Sequence, residues 1–475
     1  MTVEIPRNVS ALVLGAFIVL IAFLVDRTRI PQNLSKFPKI PIIYLFSRRD
    51  RKAARDLAQK EGIYIEHRDK WIVNVSKAEY AQTILANPLK YPKILPTLEK
   101  PSSLITKFLS TNARISNTSK WVKYREATDY VFERSDRAEI AFKSVDSHSA
   151  SLIEANMSEV DILPSMRGIV QEILCQLVFD QEPDSTIHDL MRYFTDIEQE
   201  LASRRYLLFP FLEYIPLIGR PGMHERVEDM NSVLSGMIQR KAQSMKHSTH
   251  ASGQDLISSL LLNTNYDLPF THVEIRDLII GFIWAGYESM PSILTAAIYY
   301  MAANPAIQQE ARAEVVKYPQ TQQAPTHNEN NYRYLTAIIK ETMRMHPIPT
   351  TFDTRITKES AQFGNYVVPQ NMSITIDTQS LHYDSNIWKD PFDFKPQRFL
   401  NSNESNSYEW LGFGGGLRKC PAAEFSMQQM RIVLATLLAK FTITLPDLPH
   451  GGGLKLDRDM KPTSLKVTLT VREKS

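Results

Sequence analysis

Thr271-His-Val-Glu274 opens an apolar run that continues to Asn304. A threonine followed three residues later by a glutamate is a capping box, in which each side chain satisfies a backbone N–H left open by the first helical turn. About 30 residues at ~1.5 Å each predict a helix of ~45 Å, enough to cross a whole domain. The rest of the chain must therefore pack around it. The middle of the helix reads Ala285-Gly-Tyr-Glu-Ser289. Gly286 predicts a bare surface open to a flat ligand, with an acid, Glu288, and a hydroxyl, Ser289, beside it. Pro291 cannot donate to the carbonyl of Tyr287 and predicts a kink there. Such a notch suits water and proton relay. A core helix with a packing glycine and a proline kink fits the same residues.

A second stretch is dense in chemistry: Phe413-Gly-Gly-Gly-Leu-Arg-Lys-Cys-Pro-Ala422. Its glycines allow tight turning and close approach of the backbone to a ligand. Arg418 and Lys419 set positive charge beside Cys420, which favours the thiolate. Pro421 suits a first helical position, so a helix is expected to start just after the cysteine, with its N–H groups also stabilising an anionic sulfur. A sulfur held in this way is a soft metal ligand or a nucleophile. A Gly-rich turn with an incidental cysteine is the plainer alternative.

Val9 to Val25 is a nearly unbroken apolar run of 17 residues, at the short end for a membrane-spanning helix. Arg27 and Arg29 follow it, which by the positive-inside rule favours a cytosolic body. Residues 1–30 are read as a membrane anchor, 31–47 as a proline-containing linker (Pro31, Pro38, Pro41), and 48–475 as one large domain. The net charge of +3 implies no strongly charged partner, and nothing resembles a nucleic-acid binder. Only Cys175 and Cys420 occur, so there is no disulfide framework. Cys175 lies in an apolar run and reads as core.

Along the chain, 48–61 and 77–86 read as helices, and Ile63–Val75 as a hairpin or two short strands. Residues 91–119 read as a long irregular loop. Helices are expected over 139–200 and 223–245, and strands over 348–376. Tyr206–Ile218 is apolar and proline-broken, a candidate buried loop or shallow membrane contact.

Three further patterns are weak singly. Trp121 and Arg125 lie at i and i+4 on one helix face, two donors suited to an anion. Lys120, Lys123, Arg134 and Arg137 make that region basic. Glu341 and Arg344 share a helix face, with Arg398 further on as a second cation.

Taken in order, W-x-x-x-R, A-G-x-E-S, E-x-x-R with its later arginine, and F-x-x-G-x-R-x-C-x-A resemble the cytochrome P-450 (heme-thiolate monooxygenase) family, of the membrane-anchored eukaryotic type. The resemblance covers roughly residues 35–475, with Ala422 and Ser289 as departures from the usual glycine and threonine. It implies a mainly α fold with a smaller β-rich part in a single domain, plus the N-terminal transmembrane helix. It implies heme b with Cys420 as the iron ligand, Phe413 in the binding loop, and Trp121, Arg125, Arg355 and Arg418 on the propionates. Glu288 and Ser289 become catalytic, and Glu341, Arg344 and Arg398 a structural triad. Ile348, Pro349, Thr350 and Phe352 would face the substrate. Expected partners are an NADPH-dependent flavoprotein reductase, docking on the basic stretch, and a hydrophobic small molecule of specialised metabolism. The expected setting is a monomer on the endoplasmic reticulum membrane. An oxygen-independent isomerase or dehydratase, or a non-catalytic ligand-binding protein, would carry the same motifs.

Overall fold

The computed structural model describes residues 29–40, 50–67, 70–94, 103–110, 119–132, 136–154, 159–201, 203, 206, 212–213, 215, 219–247, 255–262, 269–317, 329–400, 408–446, 453–457 and 460–472. The apolar run Val9–Val25, most of Tyr206–Ile218, Arg134 and the side chain of Lys120 lie outside the described residues.

The helices are α1 (Asp50–Glu61), α2 (Ala78–Ala86), α3 (Leu104–Leu109), α4 (Ser119–Phe132), α5 (Arg137–Glu154), α6 (Ile162–Phe179), α7 (Ser185–Leu201), α8 (Pro221–His247), α9 (Leu256–Leu262), α10 (His272–Ala303), α11 (Pro305–Lys317), α12 (Arg333–Met345), α13 (Thr378–His382) and α14 (Ala423–Lys440). The strands are β1 (Ile63–His67), β2 (Trp71–Val75), β3 (Glu159–Asp161), β4 (Arg355–Ile356), β5 (Ala361–Phe363), β6 (Tyr366–Val368), β7 (Ser373–Ile376), β8 (Phe441–Thr444), β9 (Lys455–Leu456), β10 (Pro462–Ser464) and β11 (Lys466–Val471). The body is mainly helical with a smaller β part.

α10 is the central helix. Its capping box is complete: Thr271 Oγ1 accepts from the Glu274 N–H at 3.2 Å, and Glu274 Oε2 accepts from the Thr271 N–H at 2.9 Å. Ile275, Ile279, Ile283, Leu294 and Ile298 are buried along it. It packs on α6, α8 and α12. Both α6 and α10 are long and apolar enough to cross a bilayer, but their apolar faces are spent on this core. The helix runs on through Pro291, so the proline does not end it.

Of the two readings that Gly286 allowed, a ligand surface or a packing glycine, the structure bears out the second. A Cβ there would lie 3.1 Å from Leu174 Cδ2 on α6. The missing side chain seats one helix against another, so this bare surface serves packing.

The two largest apolar clusters organise the described residues. The larger fills the helical body. The smaller joins Ile63, Ile65, Val73 and Val75 to Tyr80, Ile84, Ile374, Ile376 and Leu411. There β1, β2, β7 and β4 form one sheet in that order, with β2 parallel to β7 and the other pairs antiparallel. A second sheet, β3-β11-β8, closes the other side through antiparallel pairs. The span 91–119 is not wholly irregular, since α3 lies inside it, capped by Ser103 Oγ accepting from the Thr106 N–H at 3.4 Å. Cys175 is fully buried, and burial pushes its thiol up to about 12.

Candidate cofactor site

The segment from Leu411 to Cys420 is held as a folded loop by its own backbone. The Gly414 N–H donates to the Leu411 carbonyl at 3.0 Å, and the Cys420 N–H donates to the Phe413 carbonyl at 2.9 Å. Gly414 and Gly416 take φ of 74° and 64°, in the left-handed region that penalises a side chain. Gly416 has a second reason to be glycine. A Cβ there would sit 2.3 Å from the Leu85 carbonyl oxygen, where the loop crosses the end of α2.

The loop meets two other elements at Arg418. Its guanidinium lies 4.3 Å from the centroid of the Trp121 ring on α4. Burial and then the charge of Arg355 lower its pKa to about 10, with Asp353 opposing. Arg355 on β4 is itself buried, donates from Nη1 to the Tyr91 carbonyl at 2.7 Å, and is lowered by burial. Asp353 is in turn paired with Lys93 at 2.8 Å. Two guanidiniums and an indole from three elements thus converge, with more positive than negative charge. That balance suits carboxylates of a ligand.

Arg125 is placed differently. Its Nη1 donates to the Lys419 carbonyl at 2.5 Å, so it ties α4 to the backbone next to the cysteine. Lys123, beside it, lies over the Phe270 ring at 4.1 Å.

The expectation for Cys420 needs correction. α14 begins at Ala423, two residues beyond Pro421, with Ala422 as its N-cap residue, whose carbonyl accepts from the Ser426 N–H at 2.8 Å. Burial raises the thiol, while a hydrogen bond from the Ala422 N–H and the charges of Arg125 and Lys419 pull it down. Arg418 is engaged with Trp121 and is not among these influences. Burial wins, so the free sulfur is held as a thiol. Such a half-buried sulfur with donors around it ionises when a metal cation replaces its proton. The donor set therefore fits a heme: a sulfur for the iron, and Arg355, Arg418 and Trp121 for its carboxylates.

Glu341, Arg344 and Arg398 are brought together. Arg344 Nε donates to Glu341 Oε2 at 2.7 Å, and Arg398 Nε to Glu341 Oε1 at 3.1 Å. Glu341 and Arg344 are fully buried. Arg344 also donates to the carbonyls of His382 and Pro391 at 2.7 and 2.9 Å, so the cluster clamps the segments that lead to the cysteine loop. Phe352 packs at Gly414 of that loop and in the smaller apolar cluster, whereas Ile348 packs on the larger one.

On α10, Ala285 is exposed although its neighbours Ile283 and Met290 are buried. Ser289 Oγ donates to the Ala285 carbonyl at 2.6 Å. Glu288 turns elsewhere. Its carboxylate lies 3.7 Å from Arg167 Nη2 and 3.8 Å from Lys461 Nζ. Burial and then Glu198 raise it to about 7, against Lys461 and Arg167. Arg167, Glu198, Lys461 and His382 carry no local motif, and only the tertiary fold brings them to these places.

The cytochrome P450 family model matches residues 51–452. Cytochrome P450 716A67 of Medicago truncatula is 26% identical over 390 residues, covering 75% of this chain and 72% of that protein. Tabersonine 16-hydroxylase 2 of Catharanthus roseus is 23% identical over 85% of this chain and 84% of its own length. A zebrafish cytochrome P450 solved with abiraterone shares the fold, with a TM-score of 0.72 at 18% identity over 88% of this chain and 98% of that one.

Proposed function

Because the chain belongs to the cytochrome P450 family of oxidoreductases, we propose that it is a membrane-anchored monooxygenase acting on an apolar small molecule of specialised metabolism. The observation that carries this reading is the convergence of Trp121, Arg355 and Arg418 beside the loop that presents Cys420. Heme b, when bound, supplies oxygen activation. Cys420 would hold the iron through its deprotonated sulfur, a donor suited to oxygen activation. Arg355 and Arg418 would hold the cofactor's carboxylates, which would relieve the repulsion between their own charges. Arg125 keeps the Lys419 carbonyl, and so the cysteine backbone, in register with α4.

Ser289 holds a proton at Oγ on α10. Its present acceptor is the Ala285 carbonyl, and a rotation about one bond would free that hydroxyl for proton delivery. Serine lacks the methyl group that restricts threonine, so it reorients more easily. Glu288, next in the chain, is raised to about 7 and can hold a proton near neutral pH.

Electrons come, in this reading, from NADPH through a separate flavoprotein reductase at the endoplasmic reticulum, with the run Val9–Val25 as the anchor of a monomer. The plant relatives, among them a tabersonine 16-hydroxylase, support a place in specialised metabolism. The test is incubation of the full chain with a reductase, NADPH and extracts of apolar metabolites, with and without oxygen. A product that gains one oxygen atom and needs both oxygen and NADPH is expected. Turnover without either would sink the monooxygenase reading and favour an isomerase or dehydratase.

A further inference from the structure

Four charged side chains meet beside α10, each from a different element: Arg167 on α6, Glu198 on α7, Glu288 on α10, and Lys461 between β9 and β10. Lys461 Nζ lies 2.6 Å from Glu198 Oε1 but 3.8 Å from Glu288 Oε2. Arg167 Nη2 is 3.7 Å from Glu288 Oε2. The Glu288 side chain is the least exposed of the four, at 12% against 20% for Glu198, 26% for Lys461 and 37% for Arg167. Lys461 Nζ lies within 4 Å of both carboxyl groups, so Glu198 and Glu288 are neighbours across one ammonium.

The other groups facing the cluster are Tyr287, whose phenol feels the charges of Arg167, Glu288 and Glu198, and Asp457, which acts on Lys461. Asp457 Oδ1 also accepts from the Lys461 N–H at 2.9 Å, which holds the turn that presents the ammonium. The cations are thus unevenly shared. Glu198 has a close ammonium, while Glu288 has two cations at longer range and a carboxyl as neighbour. Two carboxyl groups so placed do not ionise independently.

We propose that Glu198 and Glu288 hold a single proton between them, that Lys461 keeps the charge on Glu198 so that the proton rests on Glu288, and that Glu198 is thereby a positioning residue for the proton supplied at Ser289. The last part rests on the proposed role of Glu288 and Ser289. The first two parts concern the cluster alone. The sign of each perturbation follows. Removing the Glu198 charge makes Glu288 easier to ionise, so its titration midpoint falls. Removing the Lys461 charge makes it harder, so the midpoint rises. A purely structural cluster would lose stability in both cases without opposite shifts.

The test uses the full chain with heme bound. The protonated-carboxyl infrared band that disappears in Glu288→Gln is followed against pH in the wild type, Glu198→Gln and Lys461→Met. Heme content and the reduced CO spectrum of each sample report separately on folding and on the proposed function. The expected midpoint lies near neutrality in the wild type, lower in Glu198→Gln and higher in Lys461→Met, with product per NADPH shifting along pH in parallel. No band lost in Glu288→Gln at pH 6, or equal midpoints in all three proteins, would overturn the shared proton. Shifted midpoints with an unmoved coupling profile would overturn the positioning role of Glu198.

Discussion

The Leu411 N–H donates to Nε2 of His382 at 2.9 Å. Nδ1 of the same ring lies 3.2 Å from the Arg344 carbonyl, so one neutral imidazole donates on one side and accepts on the other. This single ring links the start of the cysteine loop to the buried Glu341–Arg344–Arg398 cluster. Protonation would remove the acceptor that Leu411 uses.

That linkage predicts acid lability. Burial, and then the charge of Arg344, push His382 down to about 3, and burial pushes His346 down to about 4. Unfolded histidines titrate near 6.5. Between those values the unfolded chain binds protons that the native one does not, so the stability these two rings supply is full above about pH 6.5 and is lost as the pH drops, opposed in part by Glu288, whose native carboxyl takes up its proton at higher pH than in the unfolded chain. Each ring contributes at most about 1.4 kcal/mol per pH unit in that window. Urea midpoints at pH 8, 6.5 and 5, measured in Glu288→Gln so that this carboxyl does not oppose the rings, should be level over the first interval and drop over the second. A midpoint independent of pH down to 5 would contradict the neutral rings.

The two left-handed glycines of the loop should respond unequally to alanine. Gly414→Ala meets only the Phe352 ring at 3.8 Å and bears a conformational cost of about 1–2 kcal/mol. Gly416→Ala bears that cost and drives a methyl group into the Leu85 carbonyl at 2.3 Å. Heme content after expression should stay substantial in the first variant and largely vanish in the second. Equal heme content would mean that the loop does not pack on α2 as described.

Ser289→Ala should lower product per NADPH severalfold and raise peroxide release, with normal heme content. It removes the only proton the side chain can offer, and loss of general acid–base help often costs two or more orders of magnitude in the step concerned. Ser289→Thr should keep coupling. Wild-type coupling in Ser289→Ala would remove the hydroxyl from the account.

What could be read from the sequence was what local chemistry specifies. The start of α10 is set by Thr271 and Glu274, three residues apart, and was visible for that reason. The spacing from Phe413 to Ala422 was equally local. Long-range partners were not legible. Gly286 allowed either a ligand surface or a packing contact, and nothing local chose between them, because Leu174, which fills its notch, lies more than a hundred residues earlier. Glu288 read as an acid beside Ser289, while its carboxylate is engaged by Arg167, Glu198 and Lys461 from three other elements. The start of α14 was placed two residues early because Pro421 suits a first helical position, whereas Ala422, with no side-chain cap to mark it, is the N-cap residue. α3 was missed because six residues are too few to show a period.

The central claim is that Cys420 is the sulfur that binds the heme iron, and the reduced, CO-bound spectrum of Cys420→Ser tests it most directly. The wild type should show the red-shifted Soret band of a thiolate-ligated heme. The serine variant should lose that band and all activity, because a hydroxyl gives up its proton far less readily than a thiol with an unperturbed pKa of about 8.5. A serine variant that keeps the thiolate-type band would show that Cys420 is not the ligand.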